Sequence, residues 1–167
     1  QIVDAFRLMQ KSGHIGKIVV QPKKVDVETS STKSDFKPCP VGAHIIVGGL
    51  GGIGFHVMNW LAKNGAKTIV LCGRTAKPQD GVQTRITQLR QRGISVHLYT
   101  CDIGDETQLR DMLAQIRSKH AICGIVHSAM VLEDMPISEL SRASLQKTLT
   151  AKVTGTENLD RLTREDK

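Results

Sequence analysis

Short aliphatic runs alternate with stretches of helical spacing along most of the chain. Four runs rich in Ile, Val and Leu predict buried strands at His44–Val47, Thr68–Leu71, Val96–Tyr99 and Gly124–His127. The stretches between them predict helices, and the connections have the length that βαβ units require. The pattern therefore predicts an α/β fold built on a doubly wound parallel sheet, with the strands in the order 3-2-1-4.

The predicted helices alternate regularly with these strands. Gly65 and Gly93 each close a helix, as glycine commonly does. Asp105 is expected to cap another helix, because Gln108 follows it at the spacing of a capping box. The helices are predicted at Phe55–Lys63, at Gln83–Arg92, from Asp105 onward, at Ser141–Thr150 and at Lys152–Arg164.

The first forty residues follow a different pattern. Apolar positions at helical spacing predict a helix over Asp4–Lys11, which Gly13 would end, and Ile18–Val20 predicts a short strand. The following segment is rich in Lys, Ser, Thr and Pro without any period, which is typical of a linker. The chain is thus divided into 1–20, the last helix and strand of a preceding domain, the linker 21–42, and the main domain 43–167.

Charge and composition narrow the possible partners. The chain has 23 Lys and Arg residues against 16 Asp and Glu residues, which gives a formal net charge of +7. No block of basic residues and no ladder of aromatic residues accompanies this charge, so we expect no nucleic-acid partner. The surplus fits phosphate-bearing ligands or an acidic protein partner. Aromatic residues make up only 3% of the chain, so the core is expected to be aliphatic, as in a parallel sheet.

Cysteine use and hydropathy indicate the cellular setting. The four cysteines form no CxxC pair and no cluster at metal-ligand spacing. Cys72, Cys101 and Cys123 lie in or beside predicted strands, which indicates small core residues in a reducing compartment. No apolar run approaches the length of a membrane span, and nothing resembles a signal peptide. We expect a cytoplasmic protein with no metal site and no membrane partner.

A glycine-rich segment follows the first predicted strand and opens a helix. The spacing GxGxxG is weak evidence alone but strong evidence between a strand and a helix, so a glycine-rich turn without a ligand is the weaker alternative. In Rossmann-like folds these glycines make a tight turn, let backbone amides approach a pyrophosphate, and pack the helix on the strand. The helix N-terminus adds N–H groups and a positive dipole end. The segment predicted to bind a dinucleotide is Gly48, Gly49, Leu50, Gly51, Gly52, Ile53 and Gly54.

The end of the second strand predicts which dinucleotide is bound. An NAD site places an acidic residue here to hold the ribose hydroxyls. The sequence instead has Gly73 and Arg74 with no carboxylate, and a guanidinium can pair bidentately with a ribose 2′-phosphate. Lys77 lies close enough to assist, whereas a solvated surface arginine is the alternative. The cofactor is therefore predicted to be NADPH.

The ends of the third and fourth strands add further candidates. Asp102 can accept a hydrogen bond from an adenine amino group, or it can only cap the local turn. Small residues after the fourth strand permit close approach of a nicotinamide ring, and His127 is assigned no role in proton transfer. The candidate cofactor contacts at these two ends are Cys101, Asp102, Ile103, His127, Ser128 and Ala129.

Together these motifs resemble the ketoreductase domain of multidomain polyketide synthases, a relative of the short-chain dehydrogenases and reductases. The resemblance runs from Gly42 to the end of the chain and includes Ala151–Gly155. The opening segments Ala5–Met9 and His14–Val19 resemble the end of the enoylreductase domain that precedes the ketoreductase in highly reducing synthases of the fungal type. Animal fatty acid synthase has the same domain order, and its equivalent region is an alternative.

The resemblance implies a role for Lys152. It matches the family's catalytic lysine, which would lower the pKa of a catalytic tyrosine and bond the nicotinamide ribose, and an exposed helix lysine is the alternative. The family's serine and tyrosine follow a fifth strand beyond this lysine. The only tyrosine of the chain, Tyr99, lies inside the third predicted strand. We therefore expect the N-terminal half of a ketoreductase, with an incomplete Rossmann-like sheet and no activity alone.

The same resemblance implies the reaction of the parent enzyme. It would transfer hydride from NADPH to a β-ketoacyl chain on the phosphopantetheine of an acyl carrier protein. Its partners would be that carrier, which is expected to be acidic, and the other domains of an iterative, homodimeric synthase of secondary metabolism. A non-catalytic NADPH-binding module and a structural half-domain stay open as alternatives. Met130, which stands where the family has a glycine, could crowd the nicotinamide side.

Overall fold

The structure is a computed structural model, and it describes residues 2–12, 14–21, 37–75, 77–78 and 80–166. The chain divides into two compact units, Gln1–Asp35 and Phe36–Lys167. In the first unit a helix, α1, spans Ile2–Gln10, and none of its described residues is buried.

The strand predicted at Ile18–Val20 is wrong, because these residues have no regular structure. No strand among the described residues pairs with them, and an unpaired strand leaves its backbone N–H and C=O groups without partners. The predicted helix stop at Gly13 and most of the predicted linker lie outside the described residues.

The second unit is built on four parallel strands. They are β1 (Ala43–Val47), β2 (Thr68–Gly73), β3 (Ser95–Thr100) and β4 (Ile122–His127). The sheet has the order β3-β2-β1-β4, and every neighbouring pair is parallel. The predicted fold class and strand order are therefore confirmed.

Helices connect the strands and cover both faces of the sheet. They are α2 (Gly52–Lys63), α3 (Asp80–Gln91), α4 (Glu106–Arg117), α5 (Arg142–Leu149) and α6 (Gly155–Thr163). A short 3₁₀ helix at Ile137–Glu139 precedes α5. The sequence predicted two separate C-terminal helices, but a π-helical turn at Thr150–Thr154 joins α5 directly to α6.

Each face of the sheet has its own aliphatic core. On one face, Ile45 and Val70 pack with Leu109, Leu113 and Leu159 of α4 and α6. On the other face, residues of β1 and β2 pack with α2 and α3, namely Ile46, Ile69, Leu71, Met58, Leu61, Ile86 and Leu89. Strands covered on both sides need an unbroken aliphatic run, which explains why β1 and β2 were recognisable in the sequence.

The cysteines only partly match their predicted positions. All four are free thiols, and Cys72 and Cys101 are buried as expected. Cys123 was expected in the core, but it is only partly buried, because β4 lies at the edge of the sheet. Among the described residues, no helix is long and apolar enough to cross a membrane.

Candidate cofactor-binding site

A cleft of about 760 Å³ lies at the carboxyl ends of the strands. In open parallel sheets ligands bind at this end, where the strand order reverses, and here β1 and β4 flank that point. All predicted site residues except Gly49, His127 and Lys152 line the cleft. Those that line it are Gly48, Leu50, Gly51, Gly52, Ile53, Gly54, Gly73, Arg74, Cys101, Asp102, Ile103, Ser128 and Ala129.

The glycine loop between β1 and α2 fits closely against its surroundings. Gly48 has a φ of +76°, and a Cβ there would lie 2.6 Å from the backbone nitrogen of Ala129. A Cβ at Gly54 would lie 2.5 Å from the carbonyl oxygen of Gly48. Gly49 is buried beneath the loop, where a Cβ would lie 2.8 Å from Leu71. Gly49 therefore supports the loop from below and does not line the cleft.

The N-terminus of α2 is open towards the cleft. Its N-cap residue, Gly51, provides no side-chain hydrogen bond, and the first turn of the helix contains no acidic residue. By contrast, Asp105 caps α4 by accepting hydrogen bonds from two backbone N–H groups, and Glu106 follows in its first turn. The amides and positive dipole end of α2 are thus available to an anion, whereas those of α4 are satisfied within the protein.

Arg74 projects from the end of β2 and is exposed. It lines the cleft together with Thr75, a residue that the sequence reasoning missed. Within the described parts of the chain, no carboxylate forms a salt bridge with Arg74. Its guanidinium donors are therefore available to a ligand at the edge of the cleft.

Asp102 has a defined structural role after β3. Its Oδ1 accepts a hydrogen bond of 2.9 Å from the Gly104 N–H, so it caps the local turn. Its own N–H donates to Oε1 of Gln108 at 3.1 Å. Asp105 caps α4 as predicted. The Gln108 side chain also donates from Nε2 to the Asp105 carboxylate, whereas its Oε1 accepts from Asp102 and not from the Asp105 N–H.

Two buried thiols form part of the cleft floor. Cys72 and Cys101 come from the ends of β2 and β3, and both line the cleft. The hydrogen bond with the Cys101 thiol, together with burial, raises the pKa of Cys72, so this thiol stays protonated. The same hydrogen bond lowers the pKa of Cys101, so the two thiols of the floor differ in acidity.

The end of β4 is tied to the glycine loop. The backbone N–H and the hydroxyl of Ser128 both donate to the carbonyl oxygen of Val47, each at 2.8 Å. Val47 directly precedes the loop, so these two bonds fix the loop and the β4 end against each other.

His127 lies behind this wall. Its Nε2 donates to the carbonyl oxygen of Ala151 at 2.9 Å, and its buried Nδ1 has no partner among the described residues. Burial lowers the pKa of His127, so the ring is neutral and acts as a fixed donor to the π-helical turn.

The end of α5 and the π-helical turn bring unexpected residues to the cleft. Lys147, Thr150 and Ala151 line it, whereas the predicted Lys152 is exposed and does not. Lys147 also pairs with Glu133 at 3.0 Å, which ties α5 to the loop after β4. The sequence contained a signal for this face, since residues 147, 150 and 151 have helical spacing.

Contacts from α6, the helix that follows the π-helical turn, reach the loop after β3 and the start of α4. The buried amide of Asn158 donates to the carbonyl oxygen of Ile103 at 2.9 Å. Gly155 packs on the Ile103 side chain, leaving no room for a Cβ. Arg161 pairs with Glu106 of α4 at 2.8 Å. The C-terminal helix is thereby anchored to the loop that follows β3.

The four-stranded parallel sheet with helices on both faces defines an α/β domain of the Rossmann type. The family model of the KR domain matches residues 42–167. The chain therefore belongs to the KR (ketoreductase) domain family. Ketoreductases are oxidoreductases. Domains of this kind generally bind a nicotinamide cofactor. In the described part of the chain, no group of three metal-ligating side chains is placed to hold a metal ion.

Curated relatives are multidomain polyketide synthases. The chain is 36% identical over 161 residues to a lovastatin diketide synthase of Aspergillus terreus, which covers 95% of the chain and 6% of that protein. It is 34% identical over 172 residues to a highly reducing polyketide synthase of Gibberella zeae, covering 99% of the chain and 7% of that protein. The chain thus spans only a small part of these relatives. They confirm the predicted resemblance to a ketoreductase fragment of a polyketide synthase.

Solved structures agree with this assignment. An A1-type ketoreductase is 32% identical with a TM-score of 0.70, covering 80% of this chain and 28% of the other. The first ketoreductase of the tylosin polyketide synthase is also 32% identical, with a TM-score of 0.65, covering 79% and 28% of the two chains.

Proposed function

We propose that this chain supplies the NADPH-binding half of a β-ketoacyl reductase in an iterative reducing polyketide synthase. The observation that carries the proposal is the pairing of an open helix N-terminus with an unpaired arginine in one cleft. The N-terminus of α2 offers N–H donors for a pyrophosphate, and Arg74 offers a guanidinium where NAD sites place a carboxylate.

Each wall of the cleft has a proposed task towards the cofactor. The first amides of α2 hold the pyrophosphate, and Arg74 binds the 2′-phosphate of the adenosine ribose. Asp102 accepts a hydrogen bond from the adenine amino group with the carboxylate oxygen that the turn leaves over. Ser128 and Ala129 leave room for the nicotinamide ring. When bound, NADPH supplies the hydride for reduction of a ketone.

Lys152 is proposed as the catalytic lysine, and its place in the π-helical turn supports this assignment. Such turns are frequent at functional sites, and Lys152 directly follows Ala151, which lines the cleft. The proposed proton donor is the tyrosine that the family places after a fifth strand. Tyr99, the only tyrosine of this chain, lies inside β3 and packs against the core, so it is not assigned this role.

The substrate and partners are proposed from the same assignment. The substrate is a β-ketoacyl chain on the phosphopantetheine of an acyl carrier protein. An acidic carrier would match the net charge of +7 on this chain. Residues 1–20 are proposed to close an enoylreductase domain of the same synthase, and the parent enzyme is proposed to be a homodimer.

Parallel titrations with NADPH and NADH test the cofactor proposal. We expect NADPH to bind more tightly than NADH, and Arg74→Ala to weaken NADPH binding roughly 10- to 100-fold, since a charge-assisted contact contributes about 1.5–3 kcal/mol. NADH binding should change little in this variant. Arg92→Ala, which removes another exposed arginine, at the end of the α3 region, is the matched control and should leave both affinities unchanged.

Two results would count against the proposal. Equal affinities for the two cofactors, unaffected by Arg74→Ala, would remove the assignment of the 2′-phosphate site. Failure of a folded chain to bind either cofactor would favour the structural half-domain instead.

A further inference from the structure

Two of the four cysteines meet at the amino-terminal end of the sheet, the opposite end from the cofactor cleft. Cys39 lies just before β1, and Cys123 is the second residue of β4. Their side chains are hydrogen-bonded to each other, and both residues are partly exposed. This contact joins the segment that enters the sheet to its edge strand.

The backbone around the two thiols is held by independent contacts. The Ala43 N–H donates to the carbonyl oxygen of Ala121 at 2.7 Å, which aligns the entering segment with the start of β4. The buried His44 donates through Nε2 to the carbonyl oxygen of Cys39 at 3.0 Å. On its other side His44 lies against Gly124, where a Cβ would be 3.2 Å from Nδ1.

Cys123 is placed just as firmly. A Cβ built on Gly42 would lie only 2.0 Å from the Cys123 sulfur, so this sulfur rests directly over Gly42. The chain runs through bends over residues 40–42, between Cys39 and β1. Since bends are less constrained than a strand, Cys39 can adjust to the geometry that a disulfide requires.

The surroundings give the two sulfur atoms different chemistry. The Cys39 sulfur accepts hydrogen bonds from the Cys123 thiol and from the N–H groups of Val41 and Gly42, and these bonds lower the pKa of Cys39. The same pairing raises the pKa of Cys123. Of the two, Cys39 therefore has the larger thiolate fraction, and Cys123 is the more fully protonated thiol in contact with it.

We propose that Cys39 and Cys123 are a redox-modification site that forms a reversible disulfide when the oxidant is a hydroperoxide. The Cys39 thiolate attacks one peroxide oxygen, so an S–O bond forms and the O–O bond breaks. The hydroxide that leaves takes up a proton and becomes water, and Cys39 becomes a sulfenic acid.

Cys123 completes the reaction. Its sulfur attacks the Cys39 sulfur, so the S–S bond forms and the S–O bond breaks. The hydroxide that leaves takes up the Cys123 proton as a second water. In total, two thiols lose two electrons to one hydrogen peroxide. A dithiol reductant returns both cysteines to the thiol form by exchange.

The disulfide links the segment before β1 covalently to β4. It would hold the edge strand to the sheet when its backbone hydrogen bonds open. Cys72 and Cys101 are the internal control, because they are also hydrogen-bonded to each other but are both buried. Although Cys72 and Cys101 form part of the cleft floor, they are only 0% and 2% exposed, so peroxide should reach the first pair and spare the second.

The test is peptide mapping of the whole chain after brief exposure to a small excess of hydrogen peroxide, followed by alkylation of the remaining thiols. We expect a peptide pair joined through Cys39 and Cys123, lighter than the reduced pair by two hydrogen atoms and lost after dithiothreitol. Cys72 and Cys101 should be recovered as thiols. No such link in the folded wild-type chain, or links spread over all four cysteines, would overturn the proposal.

Two variants separate the roles of the partners. With Cys123→Ser, Cys39 should remain a sulfenic acid that dimedone traps. With Cys39→Ser, Cys123 should gain no dimedone adduct at the same peroxide dose. The opposite pattern, with Cys123 the residue trapped, would refute the assigned order of attack. Circular dichroism of each variant checks its fold, and the wild-type result stands without them.

Discussion

Gly52 and Gly54 stand two residues apart at the start of α2, but their surroundings differ. A Cβ at Gly54 would meet the backbone of the loop itself, 2.5 Å from the Gly48 carbonyl oxygen and 2.6 Å from the Gly49 Cα. A Cβ at Gly52 would have nothing within 4 Å. Backbone atoms cannot move aside as a side chain tip can, so only one of the two positions requires glycine for packing.

Gly54→Ala is expected to lower the free energy of unfolding by about 1–3 kcal/mol, as overpacking typically does, and to weaken NADPH binding by displacing the loop. Gly52→Ala is the matched control, with an expected change within about 0.5 kcal/mol. Urea denaturation followed by circular dichroism measures the free energy of unfolding of both variants, and a titration measures their NADPH binding. Equal effects of the two substitutions would contradict the loop geometry described above.

Two histidines make the stability depend on pH. Burial lowers the pKa of His127 and of His97 below the ordinary value of 6.5, and the charges of His120, Lys119 and Arg90 add to the effect at His97. As the pH falls through 6.5, the unfolded chain binds protons at these two rings, while the folded chain does so only at a lower pH. Stability is therefore fully present above about pH 6.5 and falls as the pH drops towards the lower pKa values of the folded state.

We expect urea denaturation to show this loss as the pH falls below about 6.5, with little change between about pH 8 and 7. The loss should be smaller in His97→Gln and in His127→Gln, because each removes one of the responsible rings. Glutamine can keep the hydrogen bond to Ala151, so His127→Gln isolates the titration from the loss of a donor. A pH profile identical to wild type in both variants would show that other groups cause the loss.

At the level of single elements, one buried amide contributes strongly to anchoring α6. Asn158 bonds the carbonyl oxygen of Ile103, so Asn158→Ala leaves a buried acceptor without its partner. We expect the free energy of unfolding to fall by about 1–3 kcal/mol and the amides of α6 to exchange faster. Asn64→Ala removes an exposed amide bond to Trp60 and is the control, with little expected effect. A smaller loss for Asn158→Ala than for Asn64→Ala would contradict this anchoring role.

The sequence was most informative where burial is two-sided. β1 and β2 are buried throughout apart from the last residue of β2, so their aliphatic runs predicted strands close to those observed. The glycine loop and Arg74 were predictable because a fixed strand–loop–helix order gives each a place at the cleft.

Other features depended on contacts that no local pattern encodes. The π-helical turn at Thr150–Thr154 is held by distant residues such as His127, and its local sequence predicted only a break between two helices. Lys147 of α5 lines the cleft, whereas Lys152 within the turn does not. The apolar run at Ile18–Val20 predicted a strand, but a strand forms only where a partner strand lies beside it.

At the scale of the whole molecule, the sheet has an open edge. Among the described strands β4 pairs only with β1, and Val126 on it is partly exposed. An unpaired strand edge is a template for pairing with another chain. We therefore expect the isolated chain to self-associate as its concentration rises.

Sedimentation velocity over a range of concentrations measures this association. Val126→Lys should shift the population towards monomer, because a charge on an edge strand opposes pairing. Val41→Lys, a substitution at an exposed valine outside the strands, should not. A wild-type chain that stays monomeric over the whole concentration range would contradict the expected self-association through this edge.

The central claim, that the cleft holds NADPH, is tested most directly by amide hydrogen exchange with and without the cofactor. The first amides of α2 have no capping side chain, so they should exchange rapidly in the free chain and slowly once a pyrophosphate accepts their hydrogen bonds. We predict NADPH-dependent protection at Gly52–Gly54, at Arg74 and at Ser128–Ala129. Unchanged exchange at saturating NADPH, or protection confined to residues away from the cleft, would contradict the account.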